Sequence, residues 1–244
     1  MKKYETLIFD LDNTLIENNQ AMKYALTALV TRLGLEHKEK EFEEWMAFDT
    51  DYWHRWESGQ VILPKSVQTL EEKRVYLRTN LFIQFFKTQG VEIDFPTAVF
   101  ACKFYYDMLG VDIVEIENAS ELLRELSPNY EILIATNGNT QTADKKLAKA
   151  NLLPYVEDVI SSDQIGFSKP MPQFFEALFE RAKNKKKETM LLIGDSLQTD
   201  ILGANQNGID TCWFNPNYEQ AKEEIQPTMT IHKLLQLKRH LEQK

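Results

Sequence analysis

The 244-residue chain has only two cysteines, Cys102 and Cys212, far apart in sequence. Two such residues build no disulfide framework, which points to a reducing compartment. An excess of basic residues is also missing: 28 Lys and Arg stand against 37 Asp and Glu, a formal net charge of −9. That balance excludes a nucleic-acid polymer as main partner, because binding a phosphate backbone needs net basic patches. It does not exclude a small phosphorylated ligand held by a few local groups. No apolar run approaches the ~20 residues of a membrane-spanning helix. Lys2 and Lys3 are followed by Glu5, Asp10 and Asp12, so no signal peptide is expected. There are no internal repeats or low-complexity segments. These absences point to a soluble, cytoplasmic protein; a monomer or homodimer is expected. Hydrophobic residues make up 43% of the chain, enough for a sizeable core in one large domain or a core with a second module.

What is present is organised around Leu7-Ile8-Phe9-Asp10-Leu11-Asp12-Asn13-Thr14-Leu15. Thr6 to Phe9 reads as a strand buried on both faces. If extended geometry persists, Asp10 and Asp12 leave the chain on the same side. Two carboxylates so placed repel, and each pKa rises unless a cation shares the site. Taken alone, the pair also reads as an Asx turn closing a strand. From Ala21 to about Leu109 the spacing predicts helices: Ala21 to Leu33, Glu41 to Trp56, Ser66 to Lys87, and Thr97 to Leu109 behind Pro96. From Asn118 onward strands and helices alternate. The strands are Glu131–Thr136, Asp158–Ser161, Thr189–Asp195 and Asp210–Phe214, and a helical tail covers Ile231–Leu241. That alternation predicts an α/β fold with a Rossmann-like parallel sheet. The α/β core comprises 1–16 and 111–244, with an all-helical cap inserted at 17–110.

Several strands end in polar residues, at the edge where open α/β sheets bind ligands. Asp10, Asp12 and Asp195 make a hard, oxygen-rich site suited to Mg²⁺. Thr136-Asn137-Gly138 offers a hydroxyl and main-chain N–H groups at a helix start, suited to an anion or, equally, to capping that helix. Lys169, before Pro170, reads alone as a surface lysine. Together with the aspartates it supplies a complementary cation, and Asp200 is placed to orient it or a metal-bound water.

The order Asp10-x-Asp12-x-Thr14, Thr136-Asn137-Gly138, Lys169-Pro170 and Gly194-Asp195-(x)₄-Asp200 resembles the four motifs of the haloacid dehalogenase (HAD) superfamily of phosphatases. Gly166 to Pro170, Gly194-Asp195-Ser196-Leu197 and Asp210 to Pro216 resemble more narrowly the branch of pyrimidine and other nucleoside-monophosphate 5′-nucleotidases. The resemblance implies a Mg²⁺-dependent phosphomonoester hydrolase acting on a small phosphorylated metabolite, a nucleotide. It implies Asp10 as nucleophile, forming an aspartyl-phosphate, and Asp12 as acid and then base. It places Mg²⁺ between the Asp10 carboxylate, the Asp12 main-chain carbonyl and Asp195. Thr136, the Asn137 amide and Lys169 would hold phosphate oxygens, with Asp200 and Ser196 in support. The cap would close to exclude water.

Rival readings leave different marks. A dehalogenase lacks the second aspartate, so Asp12 speaks against it. A phosphonatase would use a cap lysine such as Lys23 or Lys65 for a Schiff base. A phosphomutase, or a phosphatase for sugar phosphates or phosphoglycolate, uses the same residues. A silent Mg²⁺-binding module is the reading outside enzymes. In the cap, Trp45, Phe48, Tyr52, Trp53 and Trp56, with His54 and Arg55 among them, read either as its own core or as a base-stacking surface.

Overall fold

The computed structural model of the chain describes residues 4–184, 186–221 and 224–242. The elements in order are β1 (Thr6–Phe9), α1 (Asn18–Arg32), α2 (Glu41–Glu57), α3 (Leu70–Thr88), α4 (Phe95–Met108), α5 (Ala119–Leu126), β2 (Glu131–Thr136), α6 (Thr140–Lys149), β3 (Asp158–Ser161), α7 (Ser162–Ile165), α8 (Pro172–Arg181), β4 (Met190–Gly194), α9 (Leu202–Gln206), β5 (Asp210–Phe214), β6 (Met229–Ile231) and α10 (Gln236–Glu242). Contacts divide the chain into two compact units, Met1–Gln20 with Ile113–Lys244, and Ala21–Asp112. The first residues of α1, Asn18 to Gln20, therefore belong to the first unit. Among the described residues, no helix is long and apolar enough to cross a membrane.

The first unit is built on a six-stranded sheet in the order β3-β2-β1-β4-β5-β6, with every pairing parallel. Parallel strands carry helices on both faces, so they read as near-continuous apolar runs. Leu7, Phe9, Ile134 and Ile193 point to one face, where Leu122, Leu123, Leu147 and Leu237 of flanking helices cover them. Ile8, Leu133 and Leu192 point to the other, against Phe174, Phe175 and Leu178 of α8. Phe9 pairs with Ile134 on one side and Ile193 on the other. The strand order changes direction at β1, the switch point where such sheets bind ligands.

The C-terminal segment departs from the expected helix over Ile231–Leu241. Met229–Ile231 forms a short strand parallel to β5, and the helix starts at Gln236. Main-chain groups on the open edge of β5 need partners, and the β-branched pair Thr230-Ile231 supplies them.

The second unit is helical. α3 begins at Leu70 rather than at Ser66, because Thr69 forms a capping box: its hydroxyl accepts from the Glu72 N–H, and the Glu72 carboxylate accepts from the Thr69 N–H. Asp94 caps α4, accepting from the Thr97 N–H at 2.9 Å, with Pro96 in its first turn. Trp45 is fully buried against Phe82, Phe85 and Tyr105, with ring centroids 4.8–5.1 Å apart. Its indole N–H donates to the Tyr105 hydroxyl at 3.0 Å, and buried Tyr52 donates to the Leu77 carbonyl at 2.8 Å. Trp45 and Tyr52 are therefore core residues, which removes them from the base-stacking reading. Phe48, Trp53 and Trp56 remain half-buried.

Candidate active site

Asp10 is the first residue beyond β1. Its N–H donates to the Ile193 carbonyl at 2.8 Å, which extends the pairing by one residue and fixes the side chain at the sheet edge. The carboxylate is buried, and Oδ1 accepts from Lys169 Nζ at 2.7 Å. Lys169 is not a surface lysine: it is 1% exposed. Its ammonium also donates to Asp200 Oδ1 at 2.7 Å and to the Ala135 carbonyl at 2.5 Å, which uses all three N–H groups.

Asn137 sets where that lysine starts. Its Oδ1 accepts from the Lys169 N–H at 2.7 Å, and its Nδ2 donates to the Lys169 carbonyl at 3.0 Å. Both ends of the side chain are thus committed to one peptide segment. The expectation that Asn137 holds phosphate narrows to its main-chain N–H.

Asp195 follows β4. Its Oδ1 accepts from Thr14 Oγ1 at 3.3 Å, and its carbonyl accepts from the Trp213 indole at 2.8 Å. Asp200 lies in a π-helical turn, Leu197–Ile201. Its Oδ2 accepts from the Ser196 N–H at 3.0 Å, while Ser196 Oγ accepts from the Thr199 N–H at 3.2 Å and caps the turn. Ser196 thus anchors Asp200. Residue 194 must be glycine, because a Cβ there would lie 2.3 Å from Asp200 Oδ2.

Among the described residues, Asp10, Asp195 and Asp200 offer carboxylate oxygens all within 4.8 Å of one another. Burial raises the Asp10 carboxyl well above the usual carboxylate range; Lys169 pulls it back, and Asp200, Asp195 and Asp12 push it up again. Burial and then Asp200 push Asp195 up to about 7, against the pull of Lys169 and of Thr14. Burial opposes the charge on Lys169, but its pairs with Asp10 and Asp200 outweigh that and hold the ammonium protonated. If all three carboxylates ionise, one ammonium leaves two negative charges uncompensated, the repulsion that, after burial, pushes the Asp10 and Asp195 carboxyls up. A hard divalent cation matches both that charge and these oxygen donors.

The Asp12 carboxylate lies outside this trio. The strand ends at Phe9, Asn13 turns into the left-handed region (φ 63°), and Asp12 pairs with Ile16 in an isolated bridge. The Asp12 side chain meets a lysine of its own: Oδ1 accepts from Lys146 Nζ at 2.5 Å. Lys146 thereby turns Oδ1 of the Asp12 side chain away from the Asp10, Asp195 and Asp200 group. Lys146 and Asn18, whose Oδ1 accepts from the same ammonium at 2.6 Å, were not singled out in the sequence. The available signal was register: Lys146 shares the buried face of α6 with Ala143 and Leu147.

The loop between β2 and α6 completes the site. Thr136 is buried, and its Oγ1 accepts from the Gly138 N–H at 2.9 Å. A Cβ on Gly138 would lie 3.1 Å from Thr136 Oγ1 and 3.6 Å from Asp12 Oδ2. Thr136, Gly138 and Asp12 therefore converge. Asn139 caps α6, accepting from the Thr142 N–H at 3.1 Å, and the helix N-terminus favours an anion beside it.

Residues 4–208 match the model of the haloacid dehalogenase-like hydrolases. The HAD-hydrolase YfnB of Bacillus subtilis is 32% identical over 237 residues, covering 97% of this chain and 95% of that protein. Its crystal structure, bound to magnesium, has a TM-score of 0.85 and covers 99% of this chain and 100% of that one. The pyrimidine 5′-nucleotidase PynA of Streptococcus pneumoniae is 31% identical, with coverage of 94% and 91%. The pyrimidine 5′-nucleotidase YjjG of Escherichia coli is 24% identical, with coverage of 98% of each protein. With its buried aspartates at the β1 edge and this match along most of its length, the chain belongs to the haloacid dehalogenase-like hydrolase family.

Proposed function

We propose that the protein is a Mg²⁺-dependent phosphomonoester hydrolase acting on nucleoside monophosphates, pyrimidine ones foremost. One observation carries the chemistry: Asp10 and Asp12, two residues apart, are held by different lysines in different environments. Phosphomonoester hydrolysis needs barrier reductions of up to roughly 28 kcal/mol, beyond the reach of one group. The burden is divided among a nucleophile, an acid–base group and charge neutralisation.

Asp10 is the nucleophile. Lys169 fixes its Oδ1, and its other oxygen forms the new bond to phosphorus as the ester P–O bond breaks. Asp12 gives its proton to the departing ester oxygen. It then takes a proton from the water that attacks the aspartyl-phosphate, which releases inorganic phosphate, frees the Asp10 carboxylate and returns Asp12 to its protonated form. Thr136 Oγ1 and the Asn137 main-chain N–H would hold the phosphate oxygens, with the Gly138 N–H fixing the Thr136 hydroxyl. Asp10 and Asp195, with the Asp12 carbonyl, would hold Mg²⁺, and Asp200 holds Lys169 in place. When bound, Mg²⁺ supplies positive charge between the carboxylate and a dianionic phosphate.

The substrate class rests on the relatives: PynA and YjjG are pyrimidine 5′-nucleotidases. We assign choice of leaving group to the helical unit, Ala21–Asp112, where the half-buried Phe48, Trp53 and Trp56 are the aromatic candidates to meet a base. The test is a panel of phosphate esters with Mg²⁺: pyrimidine and purine nucleoside monophosphates, a sugar phosphate and phosphoglycolate. Pyrimidine nucleotides should lead. Equal rates across the panel refute the nucleotidase reading, faster sugar-phosphate or phosphoglycolate hydrolysis replaces it, and no turnover of any ester refutes the phosphatase reading.

A further inference from the structure

We propose that Lys146 is a positioning residue that locks the Asp12 carboxylate so that a single oxygen, Oδ2, carries the proton of the reaction. The proposal rests on the phosphatase reading and adds to it a group outside the family motifs.

Lys146 is 2% exposed on the inner face of α6. A lysine so buried needs partners. Its ammonium has Asp12 Oδ1 at 2.5 Å and Asn18 Oδ1 at 2.6 Å. Stability is a weak reason for the arrangement, because replacing a buried ion pair by apolar side chains is often neutral or favourable. Ala143 and Leu147 on the same face show that this surface accepts apolar residues.

The geometry gives a better reason. With Oδ1 held by Lys146, Asp12 Oδ2 is the oxygen turned to the anion loop, 3.6 Å from where a Gly138 Cβ would stand. Swapping the two oxygens would need the ammonium to let go. Asn18 resists that by holding the ammonium from a second direction. Asn18 is itself fixed: its N–H donates to Asn13 Oδ1 at 3.1 Å, inside the turn that follows Asp12. The anion loop leads directly into α6, and Lys146 lies about two turns further along the same helix. One rigid element therefore indexes the group that holds phosphate oxygens and the group that holds the proton-transferring carboxylate.

The test compares wild type with Lys146→Met, Lys146→Gln and Asn18→Ala in single turnovers with enzyme in excess and Mg²⁺ present. Release of p-nitrophenolate, a good leaving group, needs little acid assistance; release of a nucleoside or simple alcohol needs it. Lys146→Met should slow release of the poor leaving group about 10- to 100-fold with KM unchanged, and slow p-nitrophenolate release far less. Lys146→Gln, which keeps a donor, should recover part of the loss, and Asn18→Ala should show a smaller loss in the same direction. Equal slowing for both leaving groups, or a change confined to KM, overturns the assignment. Should Lys146→Met fail to fold, Lys146→Gln and Asn18→Ala decide: wild-type dependence on leaving group in both overturns it. If the wild type hydrolyses neither ester, the phosphatase reading falls first, a result distinct from any pattern among the variants.

Discussion

Replacing Lys169 by methionine should destabilise the protein in a pH-dependent way. The lysine side chain is 2% exposed and is paired with Asp10 and Asp200 at 2.7 Å each. Removing one partner of a buried ion pair costs about 3–5 kcal/mol, because the other charge is left uncompensated. Two ionised carboxylates about 5 Å apart repel by a further few kcal/mol at an effective dielectric near 20. They relieve that repulsion by taking up a proton. Burial already holds the Asp10 carboxyl above its ordinary value of 3.8, and Lys169 is the neighbour that lowers it. Without Lys169 the folded-state value rises further. A carboxyl with a raised folded-state value stabilises the fold at low pH, and that contribution is lost as pH rises through the folded value. The deficit of Lys169→Met should therefore be small at pH 5 and reach its full ~3–5 kcal/mol at pH 8, a fall of about 6–20 °C in Tm for a chain of this size. Thermal denaturation in EDTA at both pH values measures it. An equal deficit at pH 5 and pH 8 would refute the reasoning.

Three further outcomes are expected. Asp10→Asn should abolish phosphatase turnover while keeping the wild-type circular dichroism spectrum; near-normal turnover would end its assignment as nucleophile. Gly194→Ala, with a Cβ 2.3 Å from Asp200 Oδ2, must push Asp200 off Lys169 and the Ser196 N–H. Overpacking alone costs about 1–3 kcal/mol, so Tm should fall by at least about 2 °C and kcat with it, and a variant matching wild type in both would contradict the close packing. Magnesium should raise Tm more at pH 8 than at pH 6: Asp195, pushed up to about 7, is ionised at the higher pH and must lose a proton to bind at the lower. Apparent affinity should be roughly tenfold weaker at pH 6, and calorimetric titration giving equal affinities would remove Asp195 from the metal site.

The sheet was legible in the sequence because parallel strands buried on both faces leave continuous apolar runs, as in Leu7 to Phe9 and Leu191 to Ile193. Asp10, Thr136 and Asp195 were legible because each sits at the end of such a run. The burial of Lys169 was not, since nothing local to Ser168-Lys169-Pro170 says that two carboxylates await its ammonium. The start of α3 was written in Thr69-x-x-Glu72, a capping box overshadowed by the longer apolar pattern around it. β6 escaped because three residues carry too little period to separate strand from helix, and it is the open edge of β5 that decides. Trp45 and Tyr52 are seven apart, two helical turns, and share the inward face; only the matching Phe82, Phe85 and Phe86 of α3 settle that they form a core.

Lys146 was hidden for a different reason, and it bears on how Asp-x-Asp becomes asymmetric. Lys145, Lys146 and Lys149 look alike in composition, yet only Lys146 falls on the buried face with Ala143 and Leu147. Asp10 and Asp12 also look alike, and a repeating backbone would give them equal surroundings. Two departures separate them. The ladder stops after Asp10, whose N–H is still tied to Ile193, and Asn13 then turns the chain through a left-handed residue. Asp10 is left in the sheet edge among Lys169, Asp195 and Asp200, where burial and negative neighbours favour a bound cation. Asp12, 25% exposed at the side chain, faces Lys146 and the Thr136–Gly138 loop instead. The nucleophile proposed for Asp10 must stay ionised beside a cation and a lysine, whereas the acid–base group proposed for Asp12 must exchange a proton with the leaving group and then with water. The asymmetry those proposed roles require is produced by the turn at Asn13 and by lysines arriving from two separate segments, not by any difference between the aspartates themselves.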